Sequence, residues 1–224
     1  MRKLNEQEIK SIKSRLDSLQ IAYVEIYDEL LDHYVSQLEK KHPSEFNQNL
    51  VQLNESFAWS VVKKMESNLE KNTQKRVANM QWESLKFWNY SIYETFISFL
   101  LMASMLAFYL FFGVEGLFLA SSVLALTAII IALRKHGESI NFSLNPKKQR
   151  PIACVSKVIF WRLGILYGCL SWFWVAVKNW GNFDLGPIGT TLGIIICTGV
   201  FLYTISLLKV SIIYKKPELI IPSA

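Results

Sequence analysis

The sequence predicts an all-α integral membrane protein, with a small N-terminal cytosolic helical domain followed by a four-helix transmembrane bundle. Three observations lead there. Four long apolar runs follow one another between Ile92 and Leu208. The residues ahead of them are polar and carry apolar positions at helical spacing. Lysine and arginine collect in alternate connections between the runs.

The apolar runs fall at residues 92–112, 117–133, 158–177 and 188–208. A helix needs about 20 mostly apolar residues to cross a bilayer core of about 30 Å, and each run meets or approaches that. The runs are continuous rather than alternating, and four strands cannot close a barrel in lipid, so helices are the expected form. Only Gly113, Val114, Glu115 and Gly116 separate the first two runs, which predicts a tight hairpin. The segment ahead of the first run carries Lys71, Lys75, Arg76 and Lys86. Arg134, Lys135, Lys147, Lys148, Arg150 and Lys157 stand between runs two and three, and the tail from Lys209 adds Lys215 and Lys216. The other two connections hold Lys178 alone. The positive-inside rule then places both termini and the 134–157 loop in the cytosol, in a cell inner membrane. Trp88, Tyr90 and Trp161 at the inner ends, and Trp172, Trp174 and Trp180 at the outer end of run three, suit the headgroup level.

Before the membrane, residues 1–70 read as a helical head and 71–91 as a helical lead-in. Asn5 and Glu8 form a capping box with Leu4 and Ile9 at staple positions. Ile9, Ile12, Leu16 and Leu19 follow on one face. A second helix is expected from Ala22 to about Lys41, striped by Tyr23, Ile26, Leu30, Tyr34 and Leu38 and ended by Pro43. Ser44 is the expected cap of a third stretch, in which Leu50, Leu53, Phe57, Val61, Met65 and Leu69 recur. No glycine or proline occurs between Ser44 and Phe112, so this stretch is either one long helix or two with a break near Asn72-Thr73. With a polar start and no apolar run behind the first basic residues, the first span is expected to serve as the insertion signal.

The formal net charge of +6 lies mostly in the inner-face lysines and arginines, which fits anionic lipid headgroups at the cytosolic face rather than nucleic acid. Lys147-Lys148-Gln149-Arg150 has no interleaved aromatics, again favouring headgroups. Three cysteines, Cys154, Cys169 and Cys197, imply no disulfide framework.

The most chemically suggestive stretch is Tyr27-Asp28-Glu29-Leu30-Leu31-Asp32-His33-Tyr34, followed by Glu39. Its E-L-x-D-H core, at Glu29, Leu30, Asp32 and His33 in the second helix, resembles the HAAS domains found at the N-terminus of bacterial membrane proteins, often beside PadR-like regulators. It is similar too to Bacteroidota-type membrane proteins with an acidic-D-H helix ahead of their spans. The resemblance covers roughly residues 1–70 and implies a signalling or interaction module without catalytic residues. Glu29, Asp32 and His33 are therefore the candidate partner-binding residues, and a cytosolic protein is the expected partner.

Read from chemistry alone, Glu29 and His33 are an i,i+4 pair of metal-ligand types. A buried metal needs three or four protein ligands, and only His42 and His136 remain as further histidines. A di-iron bundle needs Glu-x-x-His on two helices, which the chain does not supply. The expectation is a structural polar pair with no metal and no cofactor. His33 as a pH switch is a further reading of the same residue.

Within the runs, Glu94 and Arg162 stand near inner ends, Glu115 and Asp184 in outer turns, and nothing charged at depth. That argues against an ion-coupled carrier, and a small transporter or transport subunit is the alternative function. Gly164 with Gly168, and Gly189 with Gly193, give small-residue spacing for helix packing. It serves either a homo-oligomer or, favoured by tethering, contact between runs three and four of one chain. Walker A, G-x-G-x-x-G, H-E-x-x-H and G-x-S-x-G motifs are missing. A non-enzymatic protein is expected.

Overall fold

The computed structural model describes residues 2–86, 92–135, 151–179 and 186–214. Over these the protein is helical, with seven α-helices and one short 3₁₀ turn: α1 Glu6–Ser18, α2 Val24–Glu39, a 3₁₀ turn Pro43–Glu45, α3 Phe46–Ser56, α4 Trp59–Leu85, α5 Ile92–Lys135, α6 Cys154–Asn179 and α7 Gly186–Ile213. The chain divides into two compact units. One comprises Met1–Gln74, Glu138–Cys154 and Lys215–Ala224, the other Lys75–Gly137 and Val155–Tyr214.

In the first unit α1 starts as its sequence dictates. The Asn5 side chain accepts from the Glu8 amide and the Glu8 carboxylate accepts from the Asn5 amide, each at 2.8 Å. Arg2 adds a two-pronged ion pair to Glu8, which holds that carboxyl below its usual range. Ile12, Leu16 and Leu19 from α1 and Ile26, Leu30, Tyr34 and Leu38 from α2 are all buried. Each apolar stripe is thus spent on this core.

The third stretch departs from expectation in two places. His42, not Ser44, caps the 3₁₀ turn, with its Nδ1 2.8 Å from the Ser44 hydroxyl. The break falls at Phe57 (φ −107°, ψ 52°), while α4 runs unbroken through Asn72-Thr73. No breaker residue is needed, because tertiary donors take the carbonyls that end α3. The Tyr34 hydroxyl donates to Leu53 O at 3.2 Å and Arg15 to Asn54 O at 3.4 Å, while Phe57 buries its ring against Tyr34 and His33. The break also resets the helical phase. Val61 is exposed and Met65 half-buried, and Val62, Glu66, Leu69, Thr73 and Val77 form the buried face of α4.

Among the described residues three helices are long and apolar enough to cross a membrane, over Glu115–Ala132, Cys154–Trp172 and Thr191–Ile213. Phe111, Leu119, Trp172 and Ile195 on these helices are exposed, which suits a membrane-facing surface. Within α5, Gly113 alone is non-helical (φ 63°, ψ −156°), a region that essentially only glycine occupies. The chain folds back there. A Cβ on Gly116 would lie 3.0 Å from Phe108 O, whereas eight residues of straight helix rise about 12 Å. The connection is therefore tighter than the four-residue turn expected. Helix α7 packs along α5, where Leu117, Cys197 and Phe201 form a buried cluster flanked by Tyr109, Leu124, Ile194 and Ile205. Helix α6 begins at Cys154, and α7 continues through Lys209 to Ile213.

Candidate functional site

The densest polar constellation of the first unit surrounds the turn between α1 and α2. The turn reverses through Gln20, whose φ of 51° is left-handed. Helix α4 holds it from one side. Lys63, Glu66 and Glu70 fall on one face of α4 by their spacing of three and four. Lys63 Nζ donates to Gln20 O at 2.9 Å and to Glu66 Oε2 at 2.7 Å. The other Glu66 oxygen accepts from the Ala22 amide, and the Tyr23 hydroxyl donates to Glu70, each at 2.5 Å. Burial first, and then the Glu70 carboxylate, push the Tyr23 hydroxyl well above its ordinary pKa.

The segment ahead of α6 meets the same turn. Val24 N donates to Ile152 O at 3.1 Å, and Ile152 N donates to Ala22 O at 3.0 Å, a parallel bridge centred on Tyr23. Two residues on, the Cys154 amide donates to both Glu25 carboxylate oxygens, at 3.0 and 3.1 Å. The first amides of a helix have no intrahelical acceptor. Glu25 supplies one for α6 from 129 residues away in the chain. Its side chain is only 4% exposed. Standing in the first turn of α2, it also benefits from the positive end of its own helix. The Glu25 carboxylate and the Ala22 and Val24 backbone thus clamp Ile152 and Cys154, while Glu66 and Glu70 of α4 brace the turn that carries them.

The residues singled out from sequence stand elsewhere on α2. Asp32 is exposed, and Glu29 and His33 are half-buried. The His33 ring meets Phe57 edge-on, with centroids 5.2 Å apart, so it packs against the end of α3. Among the described residues no carboxylate is bonded to His33 and no group of three metal-ligating side chains occurs. Glu39 and His42 do have the Glu-x-x-His spacing once. Helix α2 ends at Glu39 and His42 caps the following turn, so they do not share a helix. The clamp residues Tyr23, Glu25, Glu66 and Glu70 were not foreseen as a site. A first-turn glutamate reads as solvated, and nothing in the spacing of residues 151–154 marks them as its partner.

Of the glycines, Gly164 and Gly168 face open space, since an added Cβ would meet no atom within 4 Å. Gly193 is buried, and Gly189 lies in α7. Trp88, Tyr90, His136, the 136–150 part of the loop, Trp180, Asp184 and the tail beyond Tyr214 lie outside the described residues. No protein-family model, curated protein or solved structure matches the chain.

Proposed function

We propose that the protein is a multi-pass inner-membrane protein whose helical head is a cytosolic signalling or protein-interaction module, with no catalytic role. The observation that carries this reading is the clamp. Backbone pairing of Tyr23 with Ile152 requires the head and the segment ahead of α6 to lie on one side of the bilayer. A single crossing by the 44-residue α5 would separate them. The fold at Gly113 supports two crossings, out and back, and α6 and α7 add two more. Four crossings return the chain to the side on which it began, in keeping with the distribution of lysine and arginine.

In this reading the outer face of α2, with Glu29, Asp32 and His33, receives a cytosolic protein, and the clamp at the start of α2 passes the consequence to the first turn of α6. The resemblance of this helix to HAAS domains supports the same assignment. Crosslinked pull-down from native membranes with a C-terminally tagged bait tests it, with Asp32→Ala/His33→Ala beside wild type. A cytosolic partner captured by wild type and lost in the double variant is expected. Recovery of the bait alone from both would overturn the partner reading and turn attention to self-association through Gly164 and Gly168.

A further inference from the structure

In the second unit the end of α4 and the α6 and α7 segments beside it form a polar layer that the proposed function does not use. Arg162 of α6 donates from Nη1 to Gln81 Oε1 of α4. Gln81, 5% exposed, donates in turn to Ser206 Oγ of α7 at 3.4 Å. About one and a half turns away, the Arg76 guanidinium lies over the Tyr214 ring, 5.1 Å from its centroid. Among the described residues the hydroxyls of Ser156 and Ser211 are buried with no hydrogen-bond partner.

Two further facts fix the surroundings of this layer. Trp82 and Trp161, next in sequence to Gln81 and Arg162, are 68% and 67% exposed. Exposed indoles at the end of the lead-in helix and on the apolar helix bonded to it fit the headgroup level. The charge there is one-sided. Across residues 75–86, 155–165 and 203–214 the bases are Lys75, Arg76, Lys86, Lys157, Arg162 and Lys209, and the only acid is Glu83. Glu83 is paired with Lys86 at 2.6 Å.

We propose that α4, α6 and α7 frame a binding site for the phosphate of an anionic phospholipid, with Arg162 as its ligand and Trp82 and Trp161 flanking the glycerol region. Gln81 orients the guanidinium and is itself neutral, and a guanidinium fork matches phosphate oxygens better than a lysine point charge does. Arg76 and Lys157 raise the local positive potential, and basic pockets between membrane helices are a recurrent form of headgroup recognition. The bound lipid would join α4 to the two helices that Arg162 and Ser206 belong to. This rests on the membrane reading above but on no protein partner.

The test uses the full-length protein, purified and placed in phosphatidylcholine nanodiscs doped with phosphatidylglycerol, with the retained lipid counted by native mass spectrometry. Wild type is expected to retain phosphatidylglycerol over phosphatidylcholine, and Arg162→Gln to reduce that preference about five- to tenfold. Arg162→Lys should keep part of it, and millimolar inorganic phosphate should not displace the lipid. If Arg162→Gln is not monodisperse, Arg76→Gln/Lys157→Gln replaces it, with a smaller loss expected. Equal retention of the two lipids by wild type, or unchanged preference in the variants, would overturn the proposal, as would displacement by phosphate. Failure of the protein to enter nanodiscs at all would instead refute the membrane reading, so the two failures are distinct.

Discussion

Replacing Glu25 by glutamine tests the clamp at its most buried point. The carboxylate accepts the Cys154 amide at 3.0 and 3.1 Å in a site only 4% exposed. A hydrogen bond to a charged group contributes about 1.5–3 kcal/mol net, and an anion at a helix N-terminus adds about 0.3–1 kcal/mol. Glutamine keeps one carbonyl acceptor, worth about 0.5–1.5 kcal/mol as a neutral bond. The difference is about 1.5 kcal/mol, or roughly tenfold in the equilibrium for local opening. Cys154 reports that opening directly, because its free thiol is 1% exposed in the closed clamp. With Cys169 and Cys197 changed to alanine, the rate of maleimide labelling at Cys154 is proportional to the open fraction when reclosing is fast. Glu25→Gln is expected to raise that rate about tenfold. Glu29→Gln, half-buried on the same helix, should leave it unchanged. A Glu25→Gln rate within twofold of wild type, or equal acceleration by both variants, would refute the reasoning.

Four further variants test other parts of the structure. Tyr23, Tyr27 and Tyr34 all have raised pKa values, chiefly from burial, so the head is stable below tyrosine's ordinary value of 10.0 and loses stability as pH rises above it. Tyr23→Phe should make that alkaline loss shallower and, by removing the bond to Glu70, cost about 1–2 kcal/mol at neutral pH in denaturant titration followed by circular dichroism. Glu8 has the opposite sign, because its lowered pKa gives stability above the ordinary carboxylate value of 4.5 that is lost as pH falls. Glu8→Gln should flatten the acid limb of α1 unfolding. Gly113→Ala forces a side chain into a glycine-only conformation and should cost about 1–3 kcal/mol, read as a lowered Tm in detergent. Gly164→Ala, with no atom within 4 Å of its new methyl, should shift the monomer by less than about 0.5 kcal/mol.

Much of the fold is legible in local pattern. The Asn5/Glu8 cap and the stripes through Ile12, Leu16, Ile26, Leu30, Tyr34 and Leu38 are short-range features, and the structure places each of them as its spacing demands. The apolar helices are legible for the same reason, since length and composition alone define them. The break at Phe57 is not, because partners brought by folding, Tyr34 and Arg15, end α3 there, and no local breaker does. The same break shifts the buried face of α4 to Val62, Glu66, Leu69, Thr73 and Val77. The clamp is illegible for a different reason. Its central bond joins residues 129 apart, and a buried glutamate in a helix's first turn has the same local sequence signature as a solvated one. Glu29, Asp32 and His33 stood out by residue type, yet the clamp is built one turn earlier, where tyrosine and glutamate read as ordinary helix-start residues.

The sidedness of the 136–150 loop is the decisive measurement, because the clamp and the four proposed crossings stand or fall on it together. Alkaline phosphatase fused in turn within residues 136–150, at Glu115 and after Tyr214 reports it in a bacterial host. Activity is expected at Glu115 alone, with the loop and tail fusions inactive and cytosolic. An active fusion within 136–150 would mean that α5 crosses once, which would separate Tyr23 from Ile152 and contradict the clamp.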